Sequence, residues 1–346
     1  RKRYMISVMS ENILDTPDTN SQPRSKKKVL FWTLGIFLVF VLIAGAIVWA
    51  ALSKLGDFET IDNAFPDEST RPEANVPAEG ESDPAMNILL LGSDSRADTS
   101  TPVLDDLGNR ADTIMVAHIP SDRSGVQIMS IMRDSWVEIP GYGQSKINAA
   151  MSHGGVPLMV ETVEDIIDQR IDHVAVADFN GFENITDALG GVELNNPRAF
   201  SYGDHQFQEG PITLNGDEAL TFVRSRNFSD GDYTRVENQQ LFMKGMASEV
   251  LSRDTLTSPG KLNDLVEATT PYVALDGDFG AGTMVGLGTS MSSVRANDIT
   301  SFTLPTSGLG TEGGGQSVVY IDWDELDEVQ ERFKDDELAD YQPDPR

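Results

Sequence analysis

Three near-continuous apolar runs, each meeting charge at one end, constrain what this chain can fold into. Residues 87–92 read NILLLG and are followed by Ser93, Asp94, Ser95 and Arg96. Arg110, Ala111 and Asp112 lead into TIMVAHI at 113–119, and VQIMSIM at 126–132 ends in Arg133 and Asp134. Successive side chains of a strand point to opposite faces, so a run without polar alternation needs apolar cover on both sides. Helices must supply that cover, and 156–169 and 236–252 have the pattern for it. The expected class is α/β: a layered αβα domain around a central, mainly buried β-sheet. Ligands of open α/β sheets collect at strand ends, often the carboxyl ends. Asp94, Arg96 and Arg133 are placed for that edge, and Asp112 faces it from the beginning of a strand.

The segment 223–240, VRSRNFSDGDYTRVENQQ, concentrates three arginines, two aspartates and two glutamines in 18 residues of an acidic protein. LTFVRSR reads as a strand that projects Arg224 and Arg226 from one face. TRVENQQLFMKGM reads as a helix on which Arg235 and Gln239, four apart, share a face. Strand, acidic loop and helix would converge three guanidiniums, a carboxamide and the carboxylate of Asp232. Guanidinium forks suit phosphate oxygens, and a carboxylate beside them suits a hard divalent cation. Surface arginines paired with the many acids are the bland reading of the same residues.

Residues 29–52 run 24 positions without a charge. As a helix they would extend roughly 36 Å, enough to cross a hydrocarbon core of about 30 Å. Arg24, Lys26, Lys27 and Lys28 precede the run, so the N-terminus is expected in the cytoplasm and the remainder outside, on a single-pass anchor in the cell membrane. The expected organisation is a polar, disordered cytoplasmic tail (1–28), a transmembrane helix (29–52), an extracellular proline-rich and acidic linker (53–85), one domain (86–335) and an acidic tail (336–346).

The formal net charge is −29, and beyond residue 54 there are 18 basic against 52 acidic side chains, a net of −34. Such a surface repels nucleic acid, which its binding proteins attract with basic faces. It also repels a freely diffusing phosphate ester, so an anionic substrate must meet local positive charge or arrive in the membrane plane. The absence of cysteine excludes disulfides, thiolate catalysis and cysteine-ligated zinc. His118, His153, His173 and His205 show no metal-ligand spacing.

The ordered blocks resemble the LytR–CpsA–Psr family. NILLLGSDSR is similar to its opening strand motif, RADTIMVAHI to its second and SIMRDSWVEIPGYGQSKINAAMSHGG to its third. DHVAVADFNGFENITDALGGVEL follows, and VRSRNFSDGDYTRVENQQ matches the arginine block. The resemblance spans roughly residues 86–250. It implies a phosphotransferase that moves a phospho-glycopolymer from a polyprenyl-pyrophosphate carrier to a muramic acid hydroxyl of peptidoglycan, with Mg²⁺ (or Mn²⁺) on the pyrophosphate. Its partners would be the lipid-linked glycan, peptidoglycan and membrane lipid. Asp94 and Asp112 match the metal-associated acids. Arg133, Arg224, Arg226 and Arg235 match the pyrophosphate-binding arginines, and Gln239 and Asp232 match polar partners beside them. Lys146 in SKINAA matches a basic position, and Arg96 and Arg110 fall where they could contact or support the same phosphates.

Met132 departs from the family pattern, which has proline before the Arg-Asp pair, and the loop from Asp94 to Asp112 is long and acidic. Phosphoryl transfer is mostly positioning and electrostatic stabilisation, which suits arginines and a metal. Asp232 and Asp134 are the candidates for a general base. Two other readings stay open at this level: a polyprenyl-pyrophosphate hydrolase that uses water, and a non-enzymatic regulatory protein of the envelope. The polymer could be teichoic acid, capsule or an arabinogalactan-like glycan.

Overall fold

Strands β2 (Met86–Gly92), β3 (Thr113–Ile119) and β4 (Val126–Ile131) are the three apolar runs, paired antiparallel in sequence order with Leu89 opposite Val116 and Ile114 opposite Ile131. The computed structural model describes residues 58–343 except 78–79, 82, 93–103, 105–110, 178 and 226–231. The 29–52 span, Asp94, Arg96, Arg110 and Arg226 therefore lie outside the described residues. Among the described residues no helix is long and apolar enough to cross a membrane.

The three runs are the centre of a seven-stranded sheet. On one side β2 pairs in parallel with β7 (His173–Ala177), which pairs antiparallel with β12 (Val273–Asp276), which pairs in parallel with the short edge strand β1 (Glu59–Ile61). On the other side β4 pairs in parallel with β13 (Ile299–Thr303). Alternate side chains divide the core cleanly. Leu89, Leu91, Ile114, Val116, Met129 and Ile131 enter one buried cluster, whereas Ile88, Met115, Ala117, Ile119, Val126 and Ile128 enter another.

Each cluster is closed by helices. On the first face helix α1 (Ala149–Ile167) contributes Met159, Val163 and Ile167, and a C-terminal helix (Trp323–Lys334, numbered α7 below) contributes Leu326, Val329 and Phe333. α1 breaks at Gly155, whose φ of 65° and ψ of −153° are non-helical, so its long apolar segment starts at Val156, where the sequence pattern starts it. On the second face a helix over Asp232–Val250 lays Met243 and Ala247 against the sheet. The αβα layering follows from the sequence: buried apolar side chains stabilise by about 1.5–3 kcal/mol each, and both faces of these strands carry them.

A side region packs beside the layers. Helix α2 (Phe179–Leu189), strands β8 (Val192–Asn196), β9 (Phe200–Tyr202), β10 (His205–Phe207) and β11 (Gly210–Leu214), and helix α3 (Gly216–Arg224) enclose the fully buried Phe222. Its ring centroid lies 5.5 Å from that of Phe200 and 5.3 Å from that of Phe207. Helix α4 is Asp232–Val250, α5 is Pro259–Thr269 and α6 is Ala281–Ser290. Two hairpins, β5 (Trp136–Ile139) with β6 (Gly143–Lys146) and β14 (Thr306–Glu312) with β15 (Gln316–Ile321), complete the strands used here.

Residues 220–224 of the expected strand LTFVRSR are instead the end of helix α3, and Ser225 caps it. Asn215 Oδ1 accepts from the Glu218 amide at 3.0 Å and the Glu218 carboxylate accepts from the Asn215 amide at 3.0 Å, a reciprocal cap that starts a helix. Ala219, Phe222 and Val223 then fall at helical spacing on the buried side. A short apolar run fits either period, and here the cap upstream decides it.

Two stretches expected to lie outside the domain contribute to it. β1 belongs to the former linker, as does Arg71, whose Nη2 donates to Glu164 Oε1 at 2.7 Å and whose guanidinium lies 4.5 Å from the Phe65 ring centroid. Glu164 also accepts from the Ile171 amide at 2.9 Å. At the other end Asp336 accepts from His118 Nε2 at 2.9 Å and from the Ser121 amide at 2.8 Å, while Leu338 and Tyr341 are buried. Proline count and acidity mark both stretches as exposed, but single anchors secured by tertiary partners overrule composition.

Two outcomes follow. The Arg71 and Glu164 side chains are only 5% and 2% exposed, so Glu164→Ala leaves a buried guanidinium uncompensated and is expected to destabilise by about 3–5 kcal/mol in urea unfolding. Burial opposes ionisation of Asp336, yet the hydrogen bonds from His118 and Ser121 outweigh it and hold its carboxyl at about 2. A carboxyl depressed on folding contributes stability above its unfolded value, and that contribution is lost as pH falls from about 4 to about 2. Asp336→Asn should flatten the stability profile across that window and cost on the order of 2 kcal/mol at pH 7, read from unfolding midpoints.

Candidate active site

The register of the sheet gathers the chemistry at one edge. Gly92 at the end of β2 stands beside Thr113 at the start of β3 and Ala177 at the end of β7, while Ile131 at the end of β4 stands opposite Ile114. The Asp112 amide donates to the Gly92 carbonyl at 2.9 Å, which sets Asp112 at the point where the chain leaves β2 towards Asp94. Arg133, two residues beyond β4, makes an ion pair through Nη1 with Asp112 Oδ1.

The turn carrying Arg133 and Asp134 is tied down on every side. Ser135 N bonds the Met132 carbonyl at 2.9 Å, Asn148 N bonds the Arg133 carbonyl at 3.3 Å, and Val319 N bonds the Asp134 carbonyl at 2.9 Å. Lys146 Nζ donates to Asp134 Oδ1 at 2.9 Å, and Asp134 Oδ2 lies 3.8 Å from Arg133 Nε. Asp112, Arg133, Asp134 and Lys146 are thus one chain of alternating charge, with Asp134 bracketed by two cations. Met132, where the family pattern has proline, is buried and packs with Val236, Val319 and Tyr233, joining the exit of β4 to the first turns of α4.

Helix α4 brings the second set. Asp232 is its first residue, Arg235 is 4% exposed, and Gln239 follows one turn on. Met243 and Ala247, further along, pack against the interior of the sheet. The start of α4 therefore lies towards the edge that holds Asp112 and Arg133. Tyr233 and Gln240 fasten this end, bonding Thr306 Oγ1 and Thr303 Oγ1 at 3.0 Å each beyond and within β13.

Arg224 is the last residue of α3 and is half-buried. A residue absent from the sequence expectations ties α4, which carries Arg235, to the end of α3. Buried Asn238 donates through Nδ2 to Ser225 Oγ at 2.9 Å and lies 3.4 Å from the Phe222 carbonyl, so α4 holds the end of α3 between Arg224 and position 226. Arg198 was also missed; its Nη1 donates to Thr234 Oγ1 at 3.2 Å and it pairs with Glu237 on α4. The only sequence signal for Asn238 was its place in the arginine block, and Arg198 had none.

Beneath this edge lies an apolar cavity of about 290 Å³. Leu90, Met115, Phe182, Met243 and Met246 line it, and Gly92, Thr113 and Gln239 also border it. Among the described residues no group of three or more acids or histidines gathers as a metal site. Of the two acids expected to hold a metal, Asp112 is paired with Arg133 and Asp94 lies outside the described residues.

The site is a charged edge carrying the Asp112–Arg133 pair, next to an apolar cavity, in a layered α/β protein. The LytR_cpsA_psr family model matches residues 58–335, and the chain belongs to that family. The match starts at 58, so it takes in β1 and Arg71. The cell wall biosynthesis protein LcpA of Corynebacterium glutamicum is 32% identical over 314 residues, covering 76% of this chain and 60% of LcpA. The polyisoprenyl-teichoic acid–peptidoglycan teichoic acid transferase TagU of Bacillus cereus is 35% identical over 238 residues, covering 68% of this chain and 75% of TagU. In fold, TagV of B. subtilis aligns with a TM-score of 0.63 at 24% identity over 76% of this chain and all of TagV. TagT bound to LIIa-WTA aligns at 0.58 with 26% identity, covering 76% of this chain and 96% of that one.

Asn238→Ala removes the tie between α3 and α4. It is expected to destabilise by about 1–3 kcal/mol, because Ser225 loses a buried partner, and the loss should appear as a lower urea midpoint.

Proposed function

We propose that this protein transfers a phospho-glycopolymer from a polyprenyl-pyrophosphate carrier to a muramic acid hydroxyl of peptidoglycan. The observation that carries the reading is the Arg133–Asp112 pair at a sheet edge whose Gly92, bonded to the Asp112 amide, also borders an apolar cavity. A lipid-linked pyrophosphate has the matching division, a strongly anionic head on an apolar chain. TagU, whose name is that of a transferase from a polyisoprenyl carrier to peptidoglycan, and the TagT structure with LIIa-WTA support the same class.

In this reading Arg133, Arg224 and Arg235, with Arg226, bind the non-bridging oxygens and offset the charge that builds on the departing lipid phosphate. Gln239 orients the head at the mouth of the cavity. Asp134 keeps Lys146 and Arg133 in position, and since it is engaged by both, Asp232 is the candidate for a base. The acceptor hydroxyl forms the new P–O bond, the bond to the bridging oxygen breaks, and the pair of electrons leaves on the lipid phosphate.

Asp112, with Asp94, would hold a Mg²⁺ or Mn²⁺ ion, since such ions are held by one or two carboxylates and completed by substrate phosphates and water. The ion would supply further neutralisation of phosphate oxygens. The 29–52 span would anchor the domain on the outer side of the membrane, so that the donor arrives by diffusion in two dimensions rather than across an acidic field.

Arg133→Ala is expected to lower kcat/KM by about 10²–10³-fold in a transfer assay with lipid-linked glycan and peptidoglycan, and EDTA should abolish transfer until Mg²⁺ is restored. Free glycan phosphate released equally with and without peptidoglycan would identify a hydrolase instead. Unchanged polymer attachment in cells carrying Arg224→Ala and Arg226→Ala would point to a non-enzymatic role.

A further inference from the structure

Both tryptophans among the described residues, Trp136 and Trp323, line one open cleft of about 460 Å³ on the far side of the Lys146 hairpin. It lies between hairpin β5–β6, the end of α1, hairpin β14–β15 and the start of α7. Its volume falls within the usual range for ligand sites, about 300–1,000 Å³. Trp323 is 52% exposed and shares the cleft with Trp136, so two large amphipathic rings meet on one open surface.

Trp136 and a third ring of the cleft, Tyr320, are held in place. Trp136 Nε1 donates to Gln144 Oε1 at 3.0 Å, and the Tyr320 hydroxyl donates to Glu312 Oε1 at 2.8 Å. A Cβ at position 310 would lie 2.1 Å from Tyr320 Cε2, so only the glycine there lets that ring lie flat across β14. Glu138 and Asp165 add carboxylates to the walls.

The cleft is continuous with the candidate active site. In hairpin β5–β6 Trp136 stands opposite Lys146 and Glu138 opposite Gln144, while Val137 and Ile139 alternate into the core. The outward face is therefore one strip running from Lys146, paired with Asp134, past Trp136 to Glu138. A molecule seated there would reach the reacting centre at one end.

We propose that this cleft binds the glycan strand of the acceptor, a deepening that rests on the transfer reading above. Pyranose rings have apolar C–H faces that stack on indole and phenol rings, and their hydroxyl and acetamido hydrogens suit carboxylates and the Gln144 amide. The acidic walls repel a polyanionic chain such as a teichoic acid, whereas an uncharged glycan strand meets no such repulsion. The three rings stand on separate elements along an open cleft and do not enclose a point, as a cage for a single cation would.

The test titrates the full-length chain in detergent with the uncharged tetramer of N-acetylglucosamine by calorimetry, for the native protein and Trp323→Ala. The exposed position of Trp323 leaves the core untouched. Saturable binding that weakens about tenfold in Trp323→Ala is expected, as is an acceptor KM about tenfold higher with an unchanged donor KM. A tetramer that fails to bind the native chain, or binds Trp323→Ala equally well, overturns the cleft assignment and leaves the donor chemistry standing. Binding of a lysine-containing tripeptide in place of the tetramer also overturns it, in favour of a cation site. Trp323-dependent tetramer binding without any transfer would sink the transfer reading and keep the cleft.

Discussion

Burial of β2, β3 and β4 on both faces is the constraint on which the rest of the structure depends. A one-residue slip in any of these pairings would exchange the two apolar sets between helices that are not equivalent. The register is consequently fixed, and with it the edge where Gly92, Thr113, Ile131 and Ala177 come together. Asp112 and Arg133 are neighbours for this reason alone: one precedes a strand, the other follows the adjacent antiparallel strand, and both strands have their register set by hydrophobic packing.

The electrostatics of the site are local against an opposing whole. The chain carries a net charge of −29, so attraction of an anion cannot come from its overall field. It has to come from cations held close together and partly withdrawn from water, where interactions are screened less. Arg235 is nearly buried and Arg133 is held in a turn bonded to two other segments. Asp112 and Asp134 moderate the repulsion between these cations, while Asn238 does comparable positioning work through uncharged hydrogen bonds.

Apolar and aromatic surfaces lie on two sides of this charged edge. The cavity under Gln239 is lined by leucine, methionine and phenylalanine, and the cleft beyond Lys146 by tryptophan, tyrosine and carboxylates. In the proposed transfer the first would take a hydrocarbon chain and the second a polar polymer with apolar ring faces. The arrangement suits a reaction that joins a lipid-borne group to an extended acceptor, with the charged residues between them.

Much of this was legible in the residues themselves. The near-continuous apolar runs determined a sheet covered on both sides, the helical spacing after Asp232 determined α4, and the ordered motifs determined the family. Local signals sufficed because each depends on neighbours in sequence. Where two local signals competed, as in LTFVRSR, the Asn215–Glu218 cap settled the matter several residues upstream of the run that looked like a strand. Tertiary structure alone decided that Arg71 and Asp336 belong to the domain, that Asn238 ties α3 to α4, and that Trp136 and Trp323 share a cleft. Those are contacts between residues from 13 to 218 positions apart, and no periodicity within one segment can encode which distant surface it will meet.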